Sequence, residues 1–134
     1  MDLTSDSSTV ITVGTTGKDR SGRAEALVSA LQFNRSLKMI GEIIIDRFNA
    51  QAATAIKRIP SSNDFLVGCF KHIFILGFSG TSFTMLGMVE NVHPSNINLL
   101  ILDIIYDICV FGNTVYSVGK KDNVVAVTRF PQLL

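Results

Sequence analysis

Short glycine-containing links between apolar runs constrain the fold of this chain more than any other feature. The runs "FLVGCFKHIFILGF" and "TSFTMLGMVEN" are rich in β-forming residues and are separated only by Ser79 and Gly80. A two-residue link with glycine is typical of a hairpin, because primed turns need positive φ. The runs "TVYSVG" and "NVVAVTRF", joined by "KKD", predict a second hairpin. We therefore expect an antiparallel sheet of two hairpins, at about 65–91 and 113–130.

The first third of the chain predicts one strand followed by a long helical region. Residues 9–13, "TVITV", are β-branched and end at a glycine, which indicates a short N-terminal strand. The next periodic stretch fits one face of a helix, with apolar residues at i, i+3, i+4 and i+7: Ala24, Leu27, Val28 and Leu31. We expect helix over about 22–58. The segment 38–45, "KMIGEIII", also suits a strand, and this alternative stays open.

A second helix is predicted over about 95–111. Pro94 stands near its start, Gly112 follows its end, and apolar residues cover most of its circumference. A helix that is apolar nearly all round packs between layers, so Ile104 and Ile108 are expected to be buried. Its polar line contains Asp103 and Asp107, which mark either a solvated edge or an acidic site.

The element order predicts an α+β fold, in which helices at about 22–58 and 95–111 cover the antiparallel sheet of hairpins and N-terminal strand. A chain of 134 residues has the length of one domain, which we place at 9–134. Residues 1–8 are rich in Ser, Thr and Asp and are expected to form a flexible N-terminal tail.

Composition favours contact with another protein. Hydrophobic residues make up 47% of the chain and charged residues 17%, against a usual charged share of about 25%. The net charge of +1 disfavours nucleic acid, which needs clustered cations. The surplus of apolar residues predicts a second apolar sheet face that binds a protein partner, and the strand containing Phe83, Met85 and Met88 is the candidate.

The stretch "GTTGKD" carries the alternative hypothesis of phosphate binding. Gly14, Gly17 and Lys18 follow a predicted strand and precede a predicted helix, as in loops that hold phosphate with backbone N–H groups. The glycine-to-lysine spacing is short, and Asp19 stands where such a loop has Ser or Thr. A carboxylate there would repel phosphate, so a polar turn is favoured.

No catalytic or metal-binding set emerges from the sequence. The two histidines, His72 and His93, are 21 positions apart and lack the spacing of known metal sites. The stretch "GFSG" is one residue short of a nucleophile elbow. We expect no catalytic residue, no cofactor and no metal, and therefore favour a non-enzymatic protein.

The cysteines and the N-terminal sequence indicate the cellular compartment of the protein. Cys69 and Cys109 lie inside apolar runs, which indicates free thiols in a reducing compartment, and the start of the chain lacks a secretory signal. We expect a cytoplasmic protein.

Residues 73–89 and 97–111 approach the hydropathy of membrane spans, but a Ser-Gly-Thr-Ser break interrupts the first and two aspartates interrupt the second.

The leading hypothesis is a non-enzymatic protein-interaction or assembly subunit that self-associates or docks on a larger partner. A phosphate- or nucleotide-binding α/β protein that uses the 14–18 loop is the first alternative, and a membrane-associated protein is the second.

Overall fold

The computed structural model describes residues 1–17, 23–34, 36–46, 50–70, 72–89, 104–112, 114–122 and 124–130. Within these ranges the chain is all-β, with ten strands of four residues or more and one of two residues. In chain order the strands are β1 (Asp2–Leu3), β2 (Thr9–Thr15), β3 (Ala26–Asn34), β4 (Ser36–Ile45), β5 (Ala55–Arg58), β6 (Asp64–Gly68), β7 (Ile73–Ser79), β8 (Ser82–Val89), β9 (Ile104–Phe111), β10 (Thr114–Lys121) and β11 (Val124–Phe130).

The strands form three antiparallel sheets, each built from consecutive strands. Sheet A has the order β1-β2-β3-β4, sheet B has β5-β6-β7-β8, and sheet C has β9-β10-β11. Strands that are neighbours in sequence can pair through short connections, so each sheet is a meander. The turn between β7 and β8 contains Gly80 at φ +64°, where the sequence predicts a hairpin.

Sheet B is the middle layer of the structure, because its strands contribute side chains to both apolar cores. Phe65 and Val67 belong to a core shared with sheet A, whereas Leu66 belongs to a second core shared with sheet C. Consecutive residues of a strand point to opposite faces, so four of the five residues of β6 are buried in succession. This double burial explains why the sequence around β6 is a continuous apolar run rather than an alternating one.

Backbone hydrogen bonds connect the layers outside the strand ladders. The Ala53 N–H donates to the Gly14 carbonyl at 2.9 Å, which connects sheet A to the segment before β5. The Ile105 N–H donates to the Cys69 carbonyl at 3.2 Å, which connects sheet C to sheet B. The Thr54 hydroxyl also contacts the Ile105 carbonyl oxygen. The layers are thus joined by directional bonds as well as by apolar packing.

The predicted α+β fold is wrong, because no helix occurs among the described residues. The predicted helix at about 22–58 contains β3, β4 and β5, and the segment 38–45 is part of β4. Ala26, Val28 and Ala30 are all fully buried, which is the period of two of a strand with one face on a core.

The second predicted helix, at about 95–111, is also wrong in its described part. Residues 104–111 are β9, and residues 95–103 lie outside the described residues. Ile108 is buried as expected, whereas Ile104 is half-buried and Ile105 takes the core position. In the described part of the chain, no helix has the length and hydropathy of a membrane span. The domain at 9–134 and the flexible tail at 1–8 stay predictions.

Gly68 sets the distance between sheets B and C and provides a test of the three-layer packing. A Cβ at this position would lie 2.8 Å from Ile105 Cγ2 and 3.2 Å from Ile105 Cβ. We expect Gly68→Ala to lower the free energy of unfolding by about 1–3 kcal/mol, because the Ile105 backbone would have to move. Urea denaturation measures the change.

Gly87→Ala is the matched control for Gly68→Ala. Gly87 lies in β8 of the same sheet, and a Cβ there would meet no atom within 4 Å. We expect this variant to be neutral or to gain about 0.5–1 kcal/mol from reduced freedom of the unfolded chain. Equal destabilisation by the two substitutions would contradict the packing of sheet C on Gly68.

Candidate functional site

A row of four apolar side chains crosses the outer face of sheet A. The strand register pairs Leu3 with Val10, Val10 with Leu31, and Leu31 with Met39. Paired residues of antiparallel strands share a face. Their neighbours Ile11 and Ala30 are fully buried against sheet B, so the row faces away from the core. We call Leu3, Val10, Leu31 and Met39 the outer row.

The ends of the outer row are more exposed than its centre. Leu3 is 42% exposed and Met39 is 54% exposed, whereas Val10 and Leu31 are half-buried between neighbouring side chains. Large apolar side chains in a continuous row are unusual on a free surface, because single scattered ones are the norm. The outer row is therefore the candidate binding surface.

On one side of the outer row, the next two rows of the same face contain little charge. The first consists of Thr12, Ser29 and Glu42, and the second of Gly14, Leu27 and Ile44. Among the described residues of the three rows, Glu42 is the one charged side chain. Ile44 is 46% exposed and extends the apolar surface along β4. These three rows of the outer face are thus mainly apolar and have a single carboxylate near one edge.

A bulge in β4 places Met39 and Glu42 on the same, outer face of sheet A. Ala30 pairs with Gly41 and Leu31 pairs with Met39, so Ile40 is the extra residue. Without this extra residue, Met39 and Glu42 would point to opposite faces, because they are three positions apart. A Cβ on Gly41 would overlap the Thr81 carbonyl oxygen, so the β7–β8 turn packs directly on the β4 backbone.

Hydrogen bonds to side chains hold β1 at the other end of the outer row. The Asp2 carboxylate accepts the Arg58 N–H at 2.6 Å, and the Asn63 side-chain oxygen accepts the Ser5 N–H at 2.7 Å. Both bonds connect the N-terminal segment to sheet B. Leu3 therefore lies beside Val10 and faces away from the core.

The turn between β1 and β2 is organised around the Asp6 carboxylate. Asp6 Oδ1 accepts hydrogen bonds from the Ser8 hydroxyl at 2.7 Å, the Thr4 hydroxyl at 2.8 Å and the Ser8 N–H at 3.0 Å. These donors stabilise the ionised form, led by the Ser8 hydroxyl, and lower the pKa of Asp6 to about 2.

A second surface feature lies on sheet C. A shallow cavity of about 100 Å³ is lined by residues of β9 and β10, among them Asp107, Cys109 and Tyr116. Cys109 is exposed, whereas Cys69 is fully buried and its burial raises the pKa of the thiol to about 12. The cavity combines an exposed thiol with a phenol and a carboxylate.

The residues of the predicted phosphate loop are only partly described. Gly14 lies in β2 and Gly17 follows it in an exposed segment, while Lys18 lies outside the described residues. The segment after the loop forms β3 rather than the expected helix, so no helix N-terminus follows the loop in the described part. The role of Gly14, Gly17 and Lys18 in phosphate binding stays a prediction.

Of the predicted acidic pair, the structure describes Asp107. Asp103 lies outside the described residues, and Asp107 is exposed with its Oδ1 accepting the Ile108 N–H at 2.8 Å.

The candidate side chains on β8 do not form a free surface. They pack against the core between sheets A and B: Phe83, Met85 and Met88.

Within the described ranges, no three His, Cys, Asp or Glu side chains are grouped as metal ligands. Comparison with protein-family models, curated protein sequences and solved structures gives no match to this chain. The candidate site therefore rests on the geometry of the chain itself.

Asp6 provides a test of the turn that positions Leu3. Because its folded pKa of about 2 lies below the ordinary value of 3.8, its contribution to stability is complete above the ordinary pKa. That contribution is lost as the pH falls through about 2. We expect an NMR titration of the Asp6 carboxyl carbon to show a midpoint near 2, and Ser8→Ala to raise it because the largest stabilising bond is removed.

A thermal-denaturation series from pH 5 to pH 2 complements this titration. Wild type is expected to lose more stability over this range than Asp6→Asn, since the amide does not titrate. A wild-type midpoint near 4 for Asp6, unchanged by Ser8→Ala, would contradict the hydrogen-bonded turn.

The two thiols test the placement of β6 and β9. We expect a water-soluble thiol reagent to modify Cys109 rapidly in the folded protein and Cys69 only after unfolding, because Cys69 is fully buried with a raised pKa. Thiol counting before and after adding guanidinium measures this. Cys109→Ser should remove the rapid phase and Cys69→Ser should retain it. Similar rates for both thiols would contradict the layer order.

Proposed function

We propose that this chain is a non-enzymatic protein-interaction or assembly subunit whose binding surface is the outer face of sheet A. The observation that carries the proposal is the outer row, in which Leu3, Val10, Leu31 and Met39 form one apolar line across four strands. Covering such a surface is favourable by about 25 cal/mol for each Å² of apolar area removed from water.

The construction of the face supports recognition of a protein rather than a small molecule. Its side chains project from paired strands, so their spacing is fixed by backbone hydrogen bonds and little order has to be gained on binding. Three of its four strands are seven residues or longer, which gives a broad surface without a deep cavity. Protein partners bind broad surfaces, whereas small ligands need concave sites.

A photo-crosslinking amino acid at position 39 tests the proposal. Met39 is 54% exposed on the outer row, so benzoylphenylalanine is tolerated there and its ketone reaches a bound partner. We expect irradiation to give a discrete covalent adduct, both with purified protein and in cell extract. An excess of unmodified chain should suppress an adduct with a different protein, whereas an adduct with a second copy should incorporate the unmodified chain. Mass spectrometry of the adduct reports its partner.

The matched control places the same amino acid at position 86. Leu86 is also 54% exposed but lies on β8 of sheet B, away from the outer face of sheet A. Adducts at position 39 but not at position 86 would support the proposal. No saturable adduct at position 39 in either preparation would overturn it. The cytoplasmic location and the phosphate-binding and membrane-associated alternatives stay predictions.

A further inference from the structure

We propose that a second copy of this chain covers the outer face of sheet A, with the outer row of one copy lying on the outer row of the other. This inference rests on the proposed function, since it names the partner of that same surface.

The charge of the face limits what can cover it. Glu42 is the single charged side chain in the three described rows, and it lies on the edge strand β4. A strongly basic partner would find one carboxylate, and a strongly charged one would have to bury its charges against apolar side chains. A second copy presents a matching surface, whose three rows are mainly uncharged and have one carboxylate on the edge strand.

The outer row is self-complementary under a half-turn. An axis parallel to the strands, passing between β2 and β3, places β1 over β4 of the second copy and β2 over β3. Leu3 then faces Met39 of the second copy, and Val10 faces Leu31. The two exposed ends of the row meet each other, and so do the two half-buried centres.

The same half-turn keeps the two carboxylates apart. Strands of a sheet are about 4.8 Å apart, so the two β4 strands lie about 14 Å apart across the pair. The sheets themselves are separated by about 10 Å, which brings the total separation of the Glu42 groups to about 17 Å. This exceeds the Debye length of about 8 Å at physiological salt, so repulsion is screened.

The area of the face determines how tightly two copies bind. Four strands are about 19 Å wide and the seven residues of β2 are about 23 Å long, which gives roughly 440 Å² for each copy. The two copies together bury about 900 Å², below the 1,200–2,000 Å² of stable interfaces. The dimer is therefore weak and reversible, and it forms as the concentration rises.

A charge exchange between Leu3 and Met39 tests this arrangement. Aligned sheets cross at about 30°, which displaces Leu3 from Met39 of the second copy by only about 4 Å, within reach of Glu and Lys side chains. Leu3 and Met39 of the same copy are three strand spacings, or about 14 Å, apart. Any rescue of Leu3→Glu by Met39→Lys therefore acts between copies.

The experiment is sedimentation equilibrium from about 10 μM to about 1 mM, with thermal midpoints confirming that each variant is folded. We expect wild type to dimerise in this range, and Leu3→Glu and Met39→Lys each to raise the dissociation constant about tenfold or more. Mixing the two single variants should restore association to within about threefold of wild type, because a mixed pair contains one Glu–Lys contact. Leu86→Glu is the control and should leave association unchanged.

The outcomes separate this inference from the proposed function. A strictly monomeric wild type at 1 mM, or association that neither single variant weakens, overturns the second copy as the occupant of this face. Weakening by both single variants without rescue in the mixture overturns the row-on-row pairing. In each case an adduct between position 39 and a different protein would still support the proposed function.

Discussion

Burial of the central strand β6 of sheet B on both faces is the constraint on which the rest of the structure depends. Phe65 and Val67 pack towards sheet A, and Leu66 packs towards sheet C, so one five-residue strand contributes to two cores. Because sheet B covers only one face of each neighbour, the other faces of sheets A and C turn outward. The high apolar content of the chain supplies both cores and leaves apolar residues for these outer faces.

Close contacts between the layers hold the two edge strands of sheet A, β1 and β4, against sheet B. Gly41 lets the β7–β8 turn contact the β4 backbone, and Gly68 admits the Ile105 side chain between sheets B and C. The Asp2 and Asn63 side chains hold the N-terminal segment on sheet B through backbone N–H groups. Both ends of the outer row are therefore anchored to the middle layer, which keeps their spacing fixed.

Strands were predicted correctly where turn residues interrupt the apolar runs. Helices were predicted wrongly where the apolar residues fit both the helical period of 3.6 and the strand period of two. In β3, Leu27, Val28 and Leu31 fit a helical face, yet the buried positions alternate with a period of two. In β9, Ile105 and Ile108 are both buried at the helix-like spacing of three, because Tyr106 is an extra residue opposite the step from Val118 to Gly119. Pairing with neighbouring strands determines the secondary structure of these segments, and the local sequence does not contain that information.

The outer row could not be predicted from the sequence, for a related reason. Leu3, Val10, Leu31 and Met39 lie on four different strands, and only the pairing register brings them into one row. The β4 bulge then determines which side chains of the edge strand face away from the core. Bulges and charges such as Lys38 disfavour edge-to-edge pairing of strands, whereas this bulge also turns Met39 and Glu42 to the same outer face. One local irregularity thus opposes growth of sheet A at its edge and adds Met39 to its outer face.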